Sequence, residues 1–137
     1  MAPAVAQEKK GKPFNPQRFR AELEQFITIE AGLSPQEAAA FFPLHNQMME
    51  KQRVIFDEMR RLRYVAPGDD QAAKKAIARI DELEIEAKQL QQNYHQRFMQ
   101  VLAPSKVLKA IQAEEKFHKR AFQRVVKRGH NPAPPKK

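Results

Sequence analysis

The positions of the prolines constrain the fold of this chain more than any other feature. Nearly all of the 10 prolines lie near a terminus, in a loop, or at the first residue of a helix-like segment. Proline lacks a backbone N–H, so it suits the first turn of a helix and disrupts the interior. This placement divides the chain into four predicted helices. With only 137 residues, we expect an all-α fold with a single domain over residues 16–128.

The first two predicted helices have clear end signals. The first covers about 16–31 and ends at Gly32, a residue that adopts the left-handed conformation at no steric cost. The second begins after Ser34, which can accept a hydrogen bond from the first turn, while Glu37 can return one to the Ser34 N–H. This capping box predicts a second helix that continues to about Tyr64.

The third predicted helix, over about 70–102, carries the clearest apolar pattern. Its seam follows alternating steps of three and four, as in a coiled coil. The seam consists of Ala73, Ala76, Ile80, Leu83, Ala87, Leu90, Tyr94, Arg97 and Val101. Because the second and third helices are both long and the loop between them is short, we expect an antiparallel hairpin.

The fourth predicted helix starts at Pro104 and reaches about residue 128. We expect its core face to be formed by Leu108, Ile111, Phe122 and Val125. Beside the main stripe of the second helix, Phe42, Met49 and Phe56 recur at heptad spacing. A thin hairpin cannot cover them, so we expect the short helices or a second copy of the chain to do so, and we predict a homodimer.

The two ends of the chain differ in composition from the predicted helices. We expect residues 1–15 to be a disordered remnant left after signal cleavage, because Ala4-Val5-Ala6 has the small-x-small form of a secretory cleavage site. An ordinary Ala/Pro-rich start is the alternative. We also expect a disordered tail over 129–137. No apolar run reaches the length of a membrane span, so we expect no membrane-spanning segment.

The sequence lacks the motifs that carry common catalytic chemistry. It contains no Gly-rich phosphate loop, no GxSxG and no HExxH, and the absence of cysteine excludes a disulfide framework and a thiolate metal cluster. The acidic residues are spread along helix faces that we expect to be solvated. We therefore predict that the chain is not an enzyme and has no cofactor.

One histidine has neighbours of chemical interest. Met48 and Met49 follow His45 by three and four residues and share its helix face, and imidazole with thioether suits a soft metal ion. If the helices pair, His118 is the best candidate for a ligand from another helix. Ordinary core packing of Met48 is the interpretation that the apolar stripe favours.

Positive charge is concentrated in two places. The chain has a net charge of +9, and the segment 102–128 carries 8 basic and 2 acidic residues. A second cluster consists of Arg60, Arg61 and Arg63 near the predicted hairpin loop. An acidic partner is therefore expected. Nucleic acid is a weak candidate, because no helix-turn-helix, zinc-finger or RNA-recognition signature accompanies the charge.

Two short segments carry a family resemblance. Leu33-Ser34-Pro35-Gln36-Glu37 and Leu102-Ala103-Pro104-Ser105-Lys106 resemble the paired LTxxQ motifs of the Spy/CpxP-like periplasmic chaperones and stress proteins, in particular their divergent Bacteroidetes-type members. At the fifth position this chain has Glu37 and Lys106, where the family usually has Gln. The resemblance implies a homodimer of helical hairpins whose basic, apolar-patched concave face holds partly unfolded clients without ATP.

We therefore expect an ATP-independent periplasmic chaperone-like or envelope-stress protein. Two alternatives are a periplasmic metal-binding sensor or buffer of the same fold and, more weakly, a basic nucleic-acid-binding helical protein. The candidate client-binding residues are Phe42, Met49, Phe56, Arg60, Arg61, Arg63, Lys116, Lys119, Arg120 and Arg124. The candidate metal ligands are His45, Met48, Met49 and His118.

Overall fold

The computed structural model of the chain describes residues 14–130, with side-chain surroundings through residue 127. It contains four α-helices, and this confirms the all-α prediction. They are α1 (Pro16–Ala31), α2 (Pro35–Arg63), α3 (Asp70–Val101) and α4 (Pro104–His130). Of the ends predicted to be disordered, 1–15 and 129–137, the stretches 1–13 and 131–137 lie outside the described residues. Asn15 instead caps α1, and residues 129 and 130 are helical.

The predicted signals for the ends of α1 and the start of α2 are confirmed. The Asn15 side chain accepts hydrogen bonds from two backbone N–H groups in the first turn of α1. Gly32 ends α1 in the left-handed region, with φ of 66°. The Ser34 hydroxyl accepts from the Glu37 N–H at 3.1 Å, and the Glu37 carboxylate accepts from the Ser34 N–H at 2.9 Å. This capping box satisfies two donors that the helix itself leaves unpaired.

The end of α4 differs from the prediction. The helix continues to His130, so Gly129 does not end it, and the expected boundary at 128 falls two residues short of the helix end. Glycine permits a left-handed helix end but does not impose one. Its cost inside a helix is only about 1 kcal/mol relative to alanine.

The helices α2 and α3 pack along each other. Near one end the Phe41 and Phe98 rings lie 4.7 Å apart, and nearer the loop over 64–69 Arg79 of α3 donates to Glu58 of α2 at 2.8 Å. The contacting pairs therefore follow in reverse order along the two helices. This order is consistent with the predicted antiparallel hairpin.

The helices α1 and α4 pack against the end of the hairpin that is remote from its loop. The Lys106 ammonium donates to the Gly32 carbonyl at 3.0 Å, and the Phe19 and Phe117 rings lie 5.3 Å apart, so α1 and α4 run in opposite directions. All four helices contribute to the core here. Its buried members are Leu23, Ile27, Ala31, Leu33, Phe41, Phe42, Met48, Tyr94, Phe98, Leu102, Val107, Ala110 and Ala113.

The seam predicted for α3 is wrong at its C-terminal end. It holds as far as Tyr94, which is buried, but Phe98 then enters the core while Arg97 and Val101 remain exposed. Leu102, the residue that follows the helix, is also buried. The buried side of α3 changes here because α4 as well as α2 packs against this end of the helix.

The face predicted for α4 is wrong at three of its four positions, and only Ile111 packs against the core. The residues that enter the core are Val107, Ala110 and Ala113, with Ile111 and Phe117 partly buried. Leu108, Phe122 and Val125 are instead more than half exposed. The small alanines let α4 approach its neighbours closely, so the larger apolar side chains lie on a different side of the helix.

Candidate functional site

Two of the residues predicted to bind clients are not at the surface. Phe42 is buried, with 7% of its area exposed, and Met49 is partly buried against the core. The predicted need for a partner at these two positions is met within the chain, because α1, α3 and α4 close the core around this part of α2. Phe42 is therefore corrected from a client contact to a core residue.

The other residues predicted on α2 lie near the hairpin loop and are exposed. Phe56 is 45% exposed. Arg60 forms an ion pair with Asp57 at 2.8 Å, and Arg63 forms one across the hairpin with Glu84 at 2.9 Å. Exposed pairs of this kind contribute little to stability and leave the arginines accessible to a partner.

The basic residues predicted on α4 lie on its outer surface. The Lys116 ammonium lies 3.4 Å from Glu30 of α1, and the Arg120 guanidinium lies 5.6 Å from the centre of the Phe26 ring. Lys119 and Arg124 are also exposed. These four residues lie on α4 and the cluster around Arg60 lies on α2, so the predicted site is divided between two helices.

Sequence reasoning missed the apolar part of this α4 surface. Phe122 is 67% exposed and Val125 66% exposed. Their size and helical spacing predict core positions, but Val107, Ala110, Ala113 and Phe117 also recur at steps of three and four. We call the exposed residues Leu108, Lys119, Phe122 and Val125 the outer face of α4. Arg124 is also exposed, but it follows Phe122 by two residues and therefore lies on another side of the helix.

A polar cluster of His45, Glu114 and His118 joins α2 to α4, with His45 buried and His118 half exposed. His45 is 1% exposed and lies against the Phe41 ring, with ring centroids 5.5 Å apart. Its Nε2 is 3.0 Å from Oε1 of Glu114, and Nε2 of His118 is 3.5 Å from the other oxygen of the same carboxylate. One carboxylate thus contacts two imidazoles from different helices.

The protonation of this cluster follows from its contacts. Burial by itself raises the pKa of Glu114, but hydrogen bonds from His118 and His45 outweigh burial and lower that pKa to about 2. Glu114 is therefore ionised, and its Oε1 accepts the hydrogen bond from Nε2 of His45. Burial is also the main reason why the pKa of the nearby His95 is lowered, although the Glu114 charge opposes this shift.

The cluster lines a cavity of about 290 Å³ between α2, α3 and α4. Phe41, Phe98 and Ile111 form apolar walls. Both charged residues among the lining residues, Glu114 and Glu115, are acidic. This differs from the surrounding protein, whose net charge is +9.

The predicted metal ligands are only partly brought together. His45, Met48 and His118 line the same cavity, but Met49 does not. Between residues 14 and 127, no group of three or more His, Asp or Glu side chains is arranged so that it could hold a metal ion. Met49 is therefore the one candidate ligand that lies outside the cavity shared by the other three.

The two segments that resemble LTxxQ motifs contact each other. The Lys106 ammonium donates to the Glu37 carboxylate at 2.7 Å, so the two positions that differ from the family pattern form an ion pair. The hydrogen bond from Lys106 is the main cause of the lowered pKa of Glu37. Opposite charges at these positions thus link the start of α2 to the start of α4.

A broader groove follows the hairpin. It has a volume of about 1290 Å³ and includes Phe56, Met59, Ile85 and Met99 among its lining residues. Phe56, Ile85 and Met99 are exposed. As far as the structure describes the chain, no helix is long and apolar enough to cross a lipid bilayer.

Comparisons with known proteins do not add to this description. No protein-family model, no curated protein and no solved structure matches the chain.

Proposed function

We propose that the chain is an ATP-independent chaperone-like or envelope-stress protein of the periplasm that holds partly unfolded clients on the outer face of α4. The observation that supports this proposal is the exposure of Phe122 and Val125, which lie one turn apart on the helix and one turn beyond Lys119. Neighbouring exposed apolar side chains form a contiguous patch, and such patches are typical of interaction sites.

The two kinds of side chain have different roles in the proposed capture. Phe122 and Val125 would contact the apolar segments that an unfolded client exposes, and these contacts would slow its release. Lys119 and Arg124 would attract acidic stretches of the client and increase the rate of encounter. The proposal also includes homodimerisation, which the family resemblance implies, and export, which the Ala4-Val5-Ala6 pattern suggests.

An aggregation assay without ATP tests the proposal. Wild-type protein at an equimolar ratio should delay the aggregation of several chemically unfolded clients. The double variant F122S/V125S should lose most of this protection, because it removes apolar contact area and leaves every basic residue in place.

The hairpin offers a matched control. Val54 on α2 and Ile77 on α3 are also exposed apolar residues, 66% and 60%, and neither belongs to the outer face of α4. The variant V54S/I77S should protect clients as well as the wild type. Equal loss in both double variants would contradict a site on α4, and failure of the wild-type protein with every client at low salt would contradict the chaperone function itself.

Salt separates the electrostatic contribution from the apolar one. Raising the ionic strength to about 0.15 M shortens the Debye length to about 8 Å, so steering by exposed Lys119 and Arg124 should weaken. At this ionic strength we expect the rate of client capture to fall and the rate of client release to stay unchanged. The variant K119E/R124E should show slow capture already at low salt.

A further inference from the structure

The cavity between α2, α3 and α4 has a property that the proposed client surface does not use. Within its volume of about 290 Å³ it combines apolar walls with a charged group that is largely removed from solvent. The Glu114 side chain is only 25% exposed, yet it carries a full negative charge, because hydrogen bonds from two histidines lower its pKa to about 2.

The contact with Glu114 uses one ring nitrogen of His45. An ionised carboxylate can only accept, so in the hydrogen bond at 3.0 Å Nε2 of His45 is the donor. The other ring nitrogen, Nδ1, is buried and, within the part of the chain that the structure describes, has no hydrogen-bond partner. A buried polar nitrogen without a partner is unfavourable, so a ligand that forms a hydrogen bond with it would remove this cost.

The remaining lining residues favour the same kind of ligand. Glu115 adds a second carboxylate, and no Lys or Arg side chain lines the cavity. The ring faces of Phe41 and Phe98 can pack against an alkyl chain or interact with a cation through their π-electrons. The cavity therefore offers negative charge, an unpaired ring nitrogen and apolar walls within one enclosure.

We propose that this cavity binds an alkyl group that ends in a guanidinium or ammonium ion, with Glu114 as its counterion. A guanidinium has five N–H donors and matches a carboxylate in geometry, and its alkyl chain would lie against Phe41 and Phe98. Such a ligand is either a free alkylamine or the side chain of an arginine or lysine in a bound peptide. The proposal does not depend on client binding at the outer face of α4.

A titration of the full chain with n-butylguanidinium chloride at constant ionic strength tests the proposal. NMR chemical shifts of the His45 and His118 rings report binding, and they should reach a plateau as the ligand saturates the cavity. The neutral analogue n-butylurea has a similar shape, so it serves as the matched ligand and should bind at least tenfold more weakly, because it lacks the charge that pairs with Glu114.

Two variants locate the site. Glu114→Gln removes the counterion and should weaken n-butylguanidinium binding at least tenfold. Gln91→Trp places a bulky ring among the lining residues on α3 and should block entry while it leaves Glu114 intact. Glu22→Gln, which removes a carboxylate paired with Arg18 on the surface of α1, is the control and should bind as the wild type does.

The experiment remains decisive if Glu114→Gln fails to fold. The comparison of the charged ligand with n-butylurea still tests the role of charge, and Gln91→Trp still tests whether the ligand binds in the cavity. Shifts that do not saturate, equal binding of n-butylurea, or wild-type binding by Gln91→Trp would overturn the proposal. A peptide with one arginine and its citrulline counterpart distinguish the sources of the ligand. If n-butylguanidinium binds, binding of the arginine peptide but not of the citrulline peptide would assign the cavity to a peptide side chain. Binding of n-butylguanidinium but of neither peptide would assign the cavity to a free small cation.

Discussion

At the scale of single residues, Glu114 links two parts of the fold. It contacts His45 of α2 and His118 of its own helix, and its charge also acts on His95 of α3. Sequence reasoning singled out both His45 and His118 but sought their link in a metal ion. The structure provides a carboxylate instead. The periodicity that locates Glu114 on α4 does not show which neighbouring helix it contacts, because that depends on how the helices pack.

The stability of the fold should depend on the ionisation of Glu114. Its pKa is lowered from 4.5 to about 2 in the folded chain, so the ionised form stabilises the folded state above about pH 4.5. This stabilisation is lost as the pH falls from about 4.5 to about 2. At 1.36 kcal/mol per pKa unit, it amounts to about 3 kcal/mol.

Glu114→Gln should therefore lower the unfolding free energy at pH 7 by up to about 3 kcal/mol. Chemical denaturation between pH 7 and pH 2 measures this effect, and the difference from the wild type should shrink as the acid protonates Glu114. Glu22→Gln, on the exposed surface of α1, should show no such convergence. Stability curves for wild type and Glu114→Gln that stay parallel over this range would contradict the assignment.

At the scale of helices, the ends were predictable from the sequence and the buried faces only in part. The end signals at Asn15, Gly32 and Ser34 act within one turn, so the sequence alone determines them. The buried face of α4 depends on which helices surround it. Both its large and its small apolar residues recur at helical spacing. The packing of α1 against α4 determines that Phe117 is partly buried and Phe122 is exposed.

The changed seam of α3 predicts a contrast between two neighbouring positions. Phe98 is buried against the Phe41 ring, so Phe98→Ala should leave a cavity and cost about 3–5 kcal/mol of unfolding free energy. Val101 belongs to the predicted seam but is exposed, so Val101→Ala should cost less than about 0.5 kcal/mol. Urea denaturation of both variants measures the contrast. Similar losses of unfolding free energy in the two variants would instead support the coiled-coil seam predicted from the sequence.

At the scale of the whole molecule, the two ends of the hairpin have different surroundings. The end remote from the loop is covered by α1 and α4 and contains the core. The half nearer the loop consists of α2 and α3 alone, with Met59 and Leu83 buried between them. Ion pairs of Arg79 with Glu58 and of Arg63 with Glu84 cross this half. The groove along it leaves apolar side chains in contact with solvent.

A second copy of the chain is the occupant that we predict for this groove. Phe56, Ile85 and Met99 are exposed along it, and the hairpin has no further helix to cover them among the described residues. Burial of these side chains between two copies would remove them from water and stabilise a dimer. Sedimentation equilibrium should therefore show a dimer at about 100 μM, a concentration at which a micromolar dissociation constant gives almost full association.

Ile85→Asp should weaken this dimer, because it places a charge in the apolar part of the interface. Ile77→Asp is the matched control, since Ile77 is equally exposed on α3, at 60% against 59% for Ile85, but does not line the groove. Each variant must retain the wild-type circular dichroism spectrum. A wild-type chain that remains monomeric at about 100 μM would contradict dimerisation. A dimer that Ile77→Asp disrupts as strongly as Ile85→Asp would contradict the groove as its interface, and the hairpin would then associate through a different face.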